Sequence, residues 1–173
     1  PLIQHTYEKA KAANCFDRVL VACDDKRIKD VIEGFGGEAV LTSKDHQSGT
    51  YRIAEAVEKL GNELIVNLQA DEPLVHPDAL SVLAKGMTKA RVELGTLAVR
   101  NMRMDEWKNP NVVKVVLDEK GDALYFSRSP IPYGRDQEPK EFLKHLGIYA
   151  YRFDTLMQFK KLKASPLEDI EKL

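Results

Sequence analysis

Glu63-Leu-Ile-Val-Asn-Leu-Gln-Ala-Asp-Glu-Pro73 is the stretch on which the reading of the fold turns. Leu64 to Leu68 is a short apolar, β-branched run, and it ends abruptly in Gln69, Asp71, Glu72 and Pro73. A buried strand that delivers polar groups to its C-terminal tip reads this way. Ligands of open α/β sheets bind outside the carboxyl ends of the strands. Asp71 is therefore placed to hold a metal ion and a phosphate. Pro73 cannot extend a ladder and restricts Glu72 to extended geometry, so the strand stops there.

Working outward toward the N-terminus, an apolar stripe of Leu2, Ile3, Tyr7, Ala10 and Ala13 predicts a helix over residues 1–14. Val19–Cys23 reads as a short buried strand, with Asp24 and Asp25 as candidate N-caps of a helix carrying Ile28, Val31, Ile32 and Phe35. Gly36-Gly37 stops that helix, and Ala39–Thr42 is a brief strand. A polar loop, Ser43 to Thr50, runs into a helix with Ile53, Ala54, Val57 and Leu60 inward. Beyond the central strand come a helix over 78–90 and a strand over 94–99. The alternation predicts a mostly parallel sheet in a three-layer α/β arrangement.

Past residue 100 the pattern changes. Val112–Leu117 and Ala123–Ser127 flank Asp118-Glu-Lys-Gly121, a hairpin-like turn. Ser129 to Lys140 is rich in Pro, Gly and charge and reads as an exposed excursion. His145–Arg152 is a strand, residues 154–163 suggest a helix, and Ser165-Pro166 opens a last one as N-cap and first position.

A chain of 173 residues makes one domain, or one domain with a small subdomain, and 43% apolar composition supplies its core. Twenty-six basic against 27 acidic residues argue against a nucleic-acid binder or a membrane-surface protein. No stretch is long and apolar enough to span a bilayer. Cys15 and Cys23 form no C-x-x-C pair and suit a reducing cytosol.

Four polar clusters interrupt the apolar scaffold. His46-Gln-Ser48-Gly49-Thr50-x-Arg52 joins a helix N-terminus, a small residue and an Arg, a candidate nucleotide site; the plainer reading is a capped helix with a solvated Arg. Gln69-Ala-Asp71-Glu72 offers a carboxylate to Mg²⁺, which shares itself with substrate phosphates rather than taking an all-protein cage; the plainer reading is a turn cap. Arg128, in Tyr125-Phe-Ser-Arg128, is able to hold a carboxylate through two parallel hydrogen bonds, or is a surface Arg. His145, Gly147 and Tyr149 share one strand face, with Gly leaving room between two polar rings; a packed core His and Tyr is the alternative.

Taken together these clusters form a family pattern. Gly36-Gly37-Glu38, His46-x-Ser48-Gly49-Thr50-x-Arg52-x-Ala54-Glu55, Val66-Asn-x-Gln69-x-Asp71-Glu72-Pro73, Asn109-Pro110-Asn111-x-Val113-Lys114-Val115, Tyr125-Phe-Ser127-Arg128 and His145-Leu-Gly147-Ile-Tyr149 stand in one order and spacing. In them the chain resembles the 3-deoxy-manno-octulosonate (KDO) cytidylyltransferases, or CMP-KDO synthetases, over almost all of its length. The resemblance implies a Rossmann-like α/β/α sandwich of the nucleotide-diphospho-sugar transferase type with a small mixed-sheet dimerisation arm. It implies one nucleotidyltransferase domain, residues 1–103 forming its nucleotide side and 104–173 its sugar-binding and dimerisation part. The reaction implied joins CTP and KDO to give CMP-KDO and pyrophosphate, for lipopolysaccharide synthesis in the cytoplasm, by a Mg²⁺-dependent homodimer. By resemblance Asp71 binds Mg²⁺. Ser48, Gly49 and Arg52 lie on the CTP side. Gln69, Arg128, His145 and Tyr149 lie on the KDO side, with Arg128 on the sugar carboxylate.

The family also carries a strand and a basic, glycine-bearing triphosphate loop before the stretch matched by residues 1–5. Beyond the stretch matched here it has a Glu-Gln-Leu-Arg segment and a Gly-Val-Asp-Thr with a second metal carboxylate. The expectation is that these 173 residues alone do not turn over and that the sheet, lacking its first strand, leaves apolar edges uncovered. A sister CMP-sialate or sugar-nucleotide transferase is distinguished by substrate choice, and a non-catalytic binding or dimerisation fragment by binding without turnover.

Overall fold

The computed structural model describes every residue except Gln47, Asn62, Arg91, Ala164 and Leu173, and the backbone alone of Ala90. Gln47, part of the first polar cluster, thus lies outside the described residues. The elements are α1 (Leu2–Ala12), β1 (Val21–Cys23), α2 (Lys26–Gly34), β2 (Ala39–Leu41), α3 (Gly49–Val57), β3 (Leu64–Asn67), α4 (Pro77–Ala90), β4 (Leu94–Asn101), α5 (Met104–Lys108), β5 (Lys114–Leu117), β6 (Ala123–Ser127), β7 (Phe142–Arg152), α6 (Phe153–Phe159) and α7 (Pro166–Glu171). They fall into two compact units, residues 1–95 with 148–162 and residues 96–147 with 163–173.

In the first unit β1 and β2 pair in parallel, Val21 opposite Ala39 and Cys23 opposite Leu41. Asp25 caps α2, its side chain accepting from the Arg27 N–H at 2.8 Å. Gly36, at φ +80°, supplies the left-handed residue that ends the helix. The parallel pairing expected through the first hundred residues holds for β1 and β2, but β3 pairs antiparallel with the end of β7, Leu64 opposite Arg152 and Asn67 opposite Tyr149. Local alternation predicts crossovers between successive strands; it carries no information about a strand that returns eighty residues later in the chain (roughly).

The core of this unit joins Ala54 and Val57 of α3, Ile65 of β3, Tyr151 of β7 and Leu156 of α6, with Ile53, Leu60 and Phe153 packed around them. An open groove of about 380 Å³ has walls that include Val21 and Ala22 of β1, Ile53 of α3 and Ile65 and Val66 of β3. Gly49, Arg52 and Gln69 line the same groove.

In the second unit β5 and β6 form the expected hairpin, Lys114 opposite Ser127 and Leu117 opposite Ala123. Its turn is closed by the Asp118 carboxylate, which accepts from the N–H groups of Lys120 and Asp122, with Gly121 at φ +89°. β5 also pairs antiparallel with the start of β7, Lys114 opposite Lys144. Residues 129–140 carry no helix or strand. The Trp107 indole of α5 is buried and donates to the Ile131 carbonyl at 3.1 Å, tying that excursion down. α7 opens on the capping box of Ser165 and Glu168. Among the described residues no helix is long and apolar enough to cross a membrane.

Candidate functional site

Within the first unit the polar groups gather at the N-terminus of α3 and the tip of β3. Ser48 is the N-cap residue by position, yet its exposed hydroxyl makes no capping bond. Gly49 follows, and a Cβ there would stand 3.5 Å from the Gln69 amide, in ordinary van der Waals contact, so the first turn of α3 and the Gln69 side chain are neighbours. Arg52, one turn into α3, is held on both sides. Its Nη1 donates to Thr42 Oγ1 at 2.8 Å and to the Ser43 carbonyl at 3.1 Å, and its Nη2 to Asp24 Oδ2 at 2.8 Å. A planar fork of donors is suited to joining three acceptors in this way. Asp24 is therefore the partner of Arg52, while Asp25 alone caps α2.

The loop that leads into Ser48 is pinned by Glu55. Its carboxylate accepts from the Ser43 N–H at 3.1 and 3.2 Å and pairs with the His46 ring. The hydrogen bond with His46, helped by the Ser43 N–H, holds the Glu55 carboxyl below the usual carboxylate range.

Asp71 sits in the turn after β3 and is exposed. Among the described residues none donates a hydrogen bond to its carboxylate, and none forms with it a group of three or more potential metal ligands. One open carboxylate is able to serve an ion that keeps waters and shares itself with phosphates, as Mg²⁺ does. Tyr149 faces Asn67 across the β3–β7 ladder, two residues before Gln69. Burial pushes its hydroxyl up from the usual phenol range, and its ring lies 6.1 Å from that of Tyr151.

The second unit holds the other two residues singled out. His145 lies on β7 with its Nε2 2.9 Å from Thr96 Oγ1 and its ring edge-to-face with Phe126, centroids 4.7 Å apart. Burial pushes its pKa down to about 4, so the imidazole is neutral at pH 7. Among the described residues no neighbour lies within 4 Å of where a Cβ on Gly147 would point, which leaves space on β7.

Arg128 follows β6. Its Nη1 donates to the Pro110 carbonyl at 3.0 Å, its Nε to the Glu171 carbonyl at 2.7 Å and its Nη2 to the Lys172 carbonyl at 3.0 Å. The Glu171 carboxylate in turn accepts from Tyr125 Oη at 2.9 Å, Ser127 Oγ at 2.6 Å and the Arg128 N–H at 3.0 Å. Lys114, fully buried, donates to the carbonyls of Asn109 at 3.1 Å, Val112 at 2.7 Å and Arg128.

The structure thus brings Ser48, Gly49, Arg52 and Gln69 together, sets Asp71 just past them in the chain, and places Arg128 and His145 in the second unit. The sequence marked Asp24 only as a candidate helix cap, a role the structure gives to Asp25, and gave no role to Glu55, Lys114 or Glu171. Glu55 and Lys114 stand inside the quoted motifs, and for Lys114 a charged residue opening an apolar strand was the available signal; Glu171 carried none.

Residues 1–173 match the cytidylyltransferase family. The 3-deoxy-manno-octulosonate cytidylyltransferase of Thermodesulfovibrio yellowstonii is 47% identical over 187 residues, covering 100% of this chain and 73% of the relative. That of Syntrophobacter fumaroxidans is 48% identical over 179 residues, covering 100% and 72%. A solved CMP:2-keto-3-deoxy-manno-octonic acid synthetase complexed with CTP superposes with a TM-score of 0.94 at 42% identity, over 100% of this chain and 72% of that one. The alternation of strands and helices, the meeting of α3 with Gln69 and this likeness along the whole chain agree, and the chain belongs to the cytidylyltransferase family.

Proposed function

We propose that this protein is the nucleotidyltransferase that activates KDO with CTP, releasing pyrophosphate and forming CMP-KDO. The observation that carries the reading is a match along the whole chain to synthetases of that one sugar acid. The six motifs stand in order within it.

In this reaction the anomeric hydroxyl of the sugar attacks the α-phosphorus of CTP and pyrophosphate leaves. Such chemistry depends on positioning and charge neutralisation more than on covalent catalysis. Asp71 is the residue that would hold Mg²⁺, and the ion would supply charge neutralisation at the phosphates. Ser48 and Gly49 present an uncapped hydroxyl and the first backbone N–H groups of α3 to the nucleotide. Arg52 acts on the same side, fixing the 42–43 strand end against Asp24. Gln69, Arg128, His145 and Tyr149 are assigned to the sugar acid, Arg128 to its carboxylate. A neutral His145 with a pKa of about 4 is a weak base at pH 7, so it orients a sugar hydroxyl by hydrogen bonding and leaves proton removal to others. Asp71 and Arg128 are the proposed catalytic residues.

The same reading makes the whole chain, residues 1–173, one nucleotidyltransferase domain of a cytoplasmic homodimer that supplies lipopolysaccharide synthesis. Two cysteines without a disulfide are compatible with a reducing compartment. Titration calorimetry tests the substrate assignment: CTP binds in a Mg²⁺-dependent manner, KDO binds, and sialate does not. Heat from sialate in place of KDO, or from neither sugar, overturns it. Sedimentation equilibrium at twice 19.5 kDa supports the dimer, and a monomer at every concentration removes it.

A further inference from the structure

We propose that Lys114 is a positioning residue for the sugar-acid subsite, fixing Arg128 through the protein backbone without touching substrate. The inference rests on the assignment of Arg128 to the sugar carboxylate.

Lys114 opens β5 and is 0% exposed, so neither CTP nor KDO reaches its ammonium. A buried ammonium persists only where its donors are met. Here all three go to main-chain carbonyls, those of Asn109, Val112 and Arg128, and none to a carboxylate. Asn109 and Val112 bracket Pro110, whose carbonyl receives the Arg128 Nη1. Lys114 therefore grips both the Arg128 main chain and the turn that aims its guanidinium. On the other side of Arg128, the Glu171 carboxylate accepts the Arg128 N–H at 3.0 Å and the buried Ser127 hydroxyl at 2.6 Å. The Arg128 peptide is held at both ends, by an ammonium on its carbonyl and a carboxylate on its N–H. Burial lowers the Lys114 pKa and the Glu171 charge opposes that shift.

A residue that only stabilised the fold would weaken every ligand alike. A residue that acts through Arg128 weakens the sugar acid alone, and only while Arg128 is present. Lys114→Met keeps the stem and removes the donors. It is expected to weaken KDO binding about tenfold or more and to leave the CTP dissociation constant unchanged. In an Arg128→Ala background the same change is expected to add nothing.

Equal weakening of both ligands, unchanged KDO binding, or a full further loss in the Arg128→Ala background overturns the proposal. An Arg128→Ala chain that binds KDO as well as the parent overturns instead the assignment on which it rests, and the two failures are told apart by that single variant. Should Lys114→Met lose its far-UV dichroism, Glu171→Gln decides: selective weakening of KDO supports the clamp, and no selectivity sinks it.

Discussion

Arg52 and Arg128, the two arginines that the motifs mark for substrate, each bind the protein through three of their five guanidinium donors. A motif records that an Arg is needed at a place and is silent on whether its five donors face a ligand or hold the walls around it. His145 shows the reverse. Its pattern on β7 left a packed ring and a ligand-facing ring equally open, and the structure adds its state: neutral, against Thr96 and Phe126. The consequence for pH is definite in sign. The folded pKa, about 4, lies below the unfolded value near 6.5, so the unfolded chain binds more protons in that window. The contribution of His145 to stability is present above about pH 6.5 and is lost as the pH falls through about 4. Urea midpoints measured at pH 7 and pH 5 should therefore drop for the parent and drop less for His145→Gln. Equal drops in the two proteins would show that this ring is readily protonated in the fold.

At the scale of elements, β7 is the one that short-range reading describes least completely. Its alternation was legible, placing His145, Gly147 and Tyr149 on one face. Its partners were not, because antiparallel pairing with β3 and with β5 joins segments far apart in sequence. Gly147 offers a test that separates packing from ligand space. Nothing among the described residues lies within 4 Å of a Cβ there, and a β-branched residue suits a strand. Gly147→Val is expected to keep its urea midpoint at or above that of the parent while weakening KDO binding about tenfold. A variant that loses stability and keeps its affinity would refute a ligand role for that space. The five-residue α5 escaped notice for a simpler reason: fewer than two turns give no apolar period to detect.

For the molecule as a whole, the decisive feature is that the chain leaves its first compact unit after residue 95 and re-enters it at 148. Leu156 of α6 arrives on that return and is fully buried against α3, β3 and Tyr151. Leu156→Ala should lower the unfolding free energy by about 2–5 kcal/mol, read from urea denaturation. A change below about 0.5 kcal/mol, the size typical of surface positions, would mean that residues 148–162 are not integral to the unit. The sequence by itself determined the α/β class, most element positions, the Asp71 tip and the family, because strand and helix periods, glycine stops and ordered motifs are local properties of the chain. Only the tertiary structure decided that β3 pairs with β7, that Asp24 and Glu55 hold the α3 entrance, and that Lys114 and Glu171 clamp Arg128. Those are contacts between residues distant in sequence, and what a polar side chain does is set by which partner the fold brings within hydrogen-bond reach.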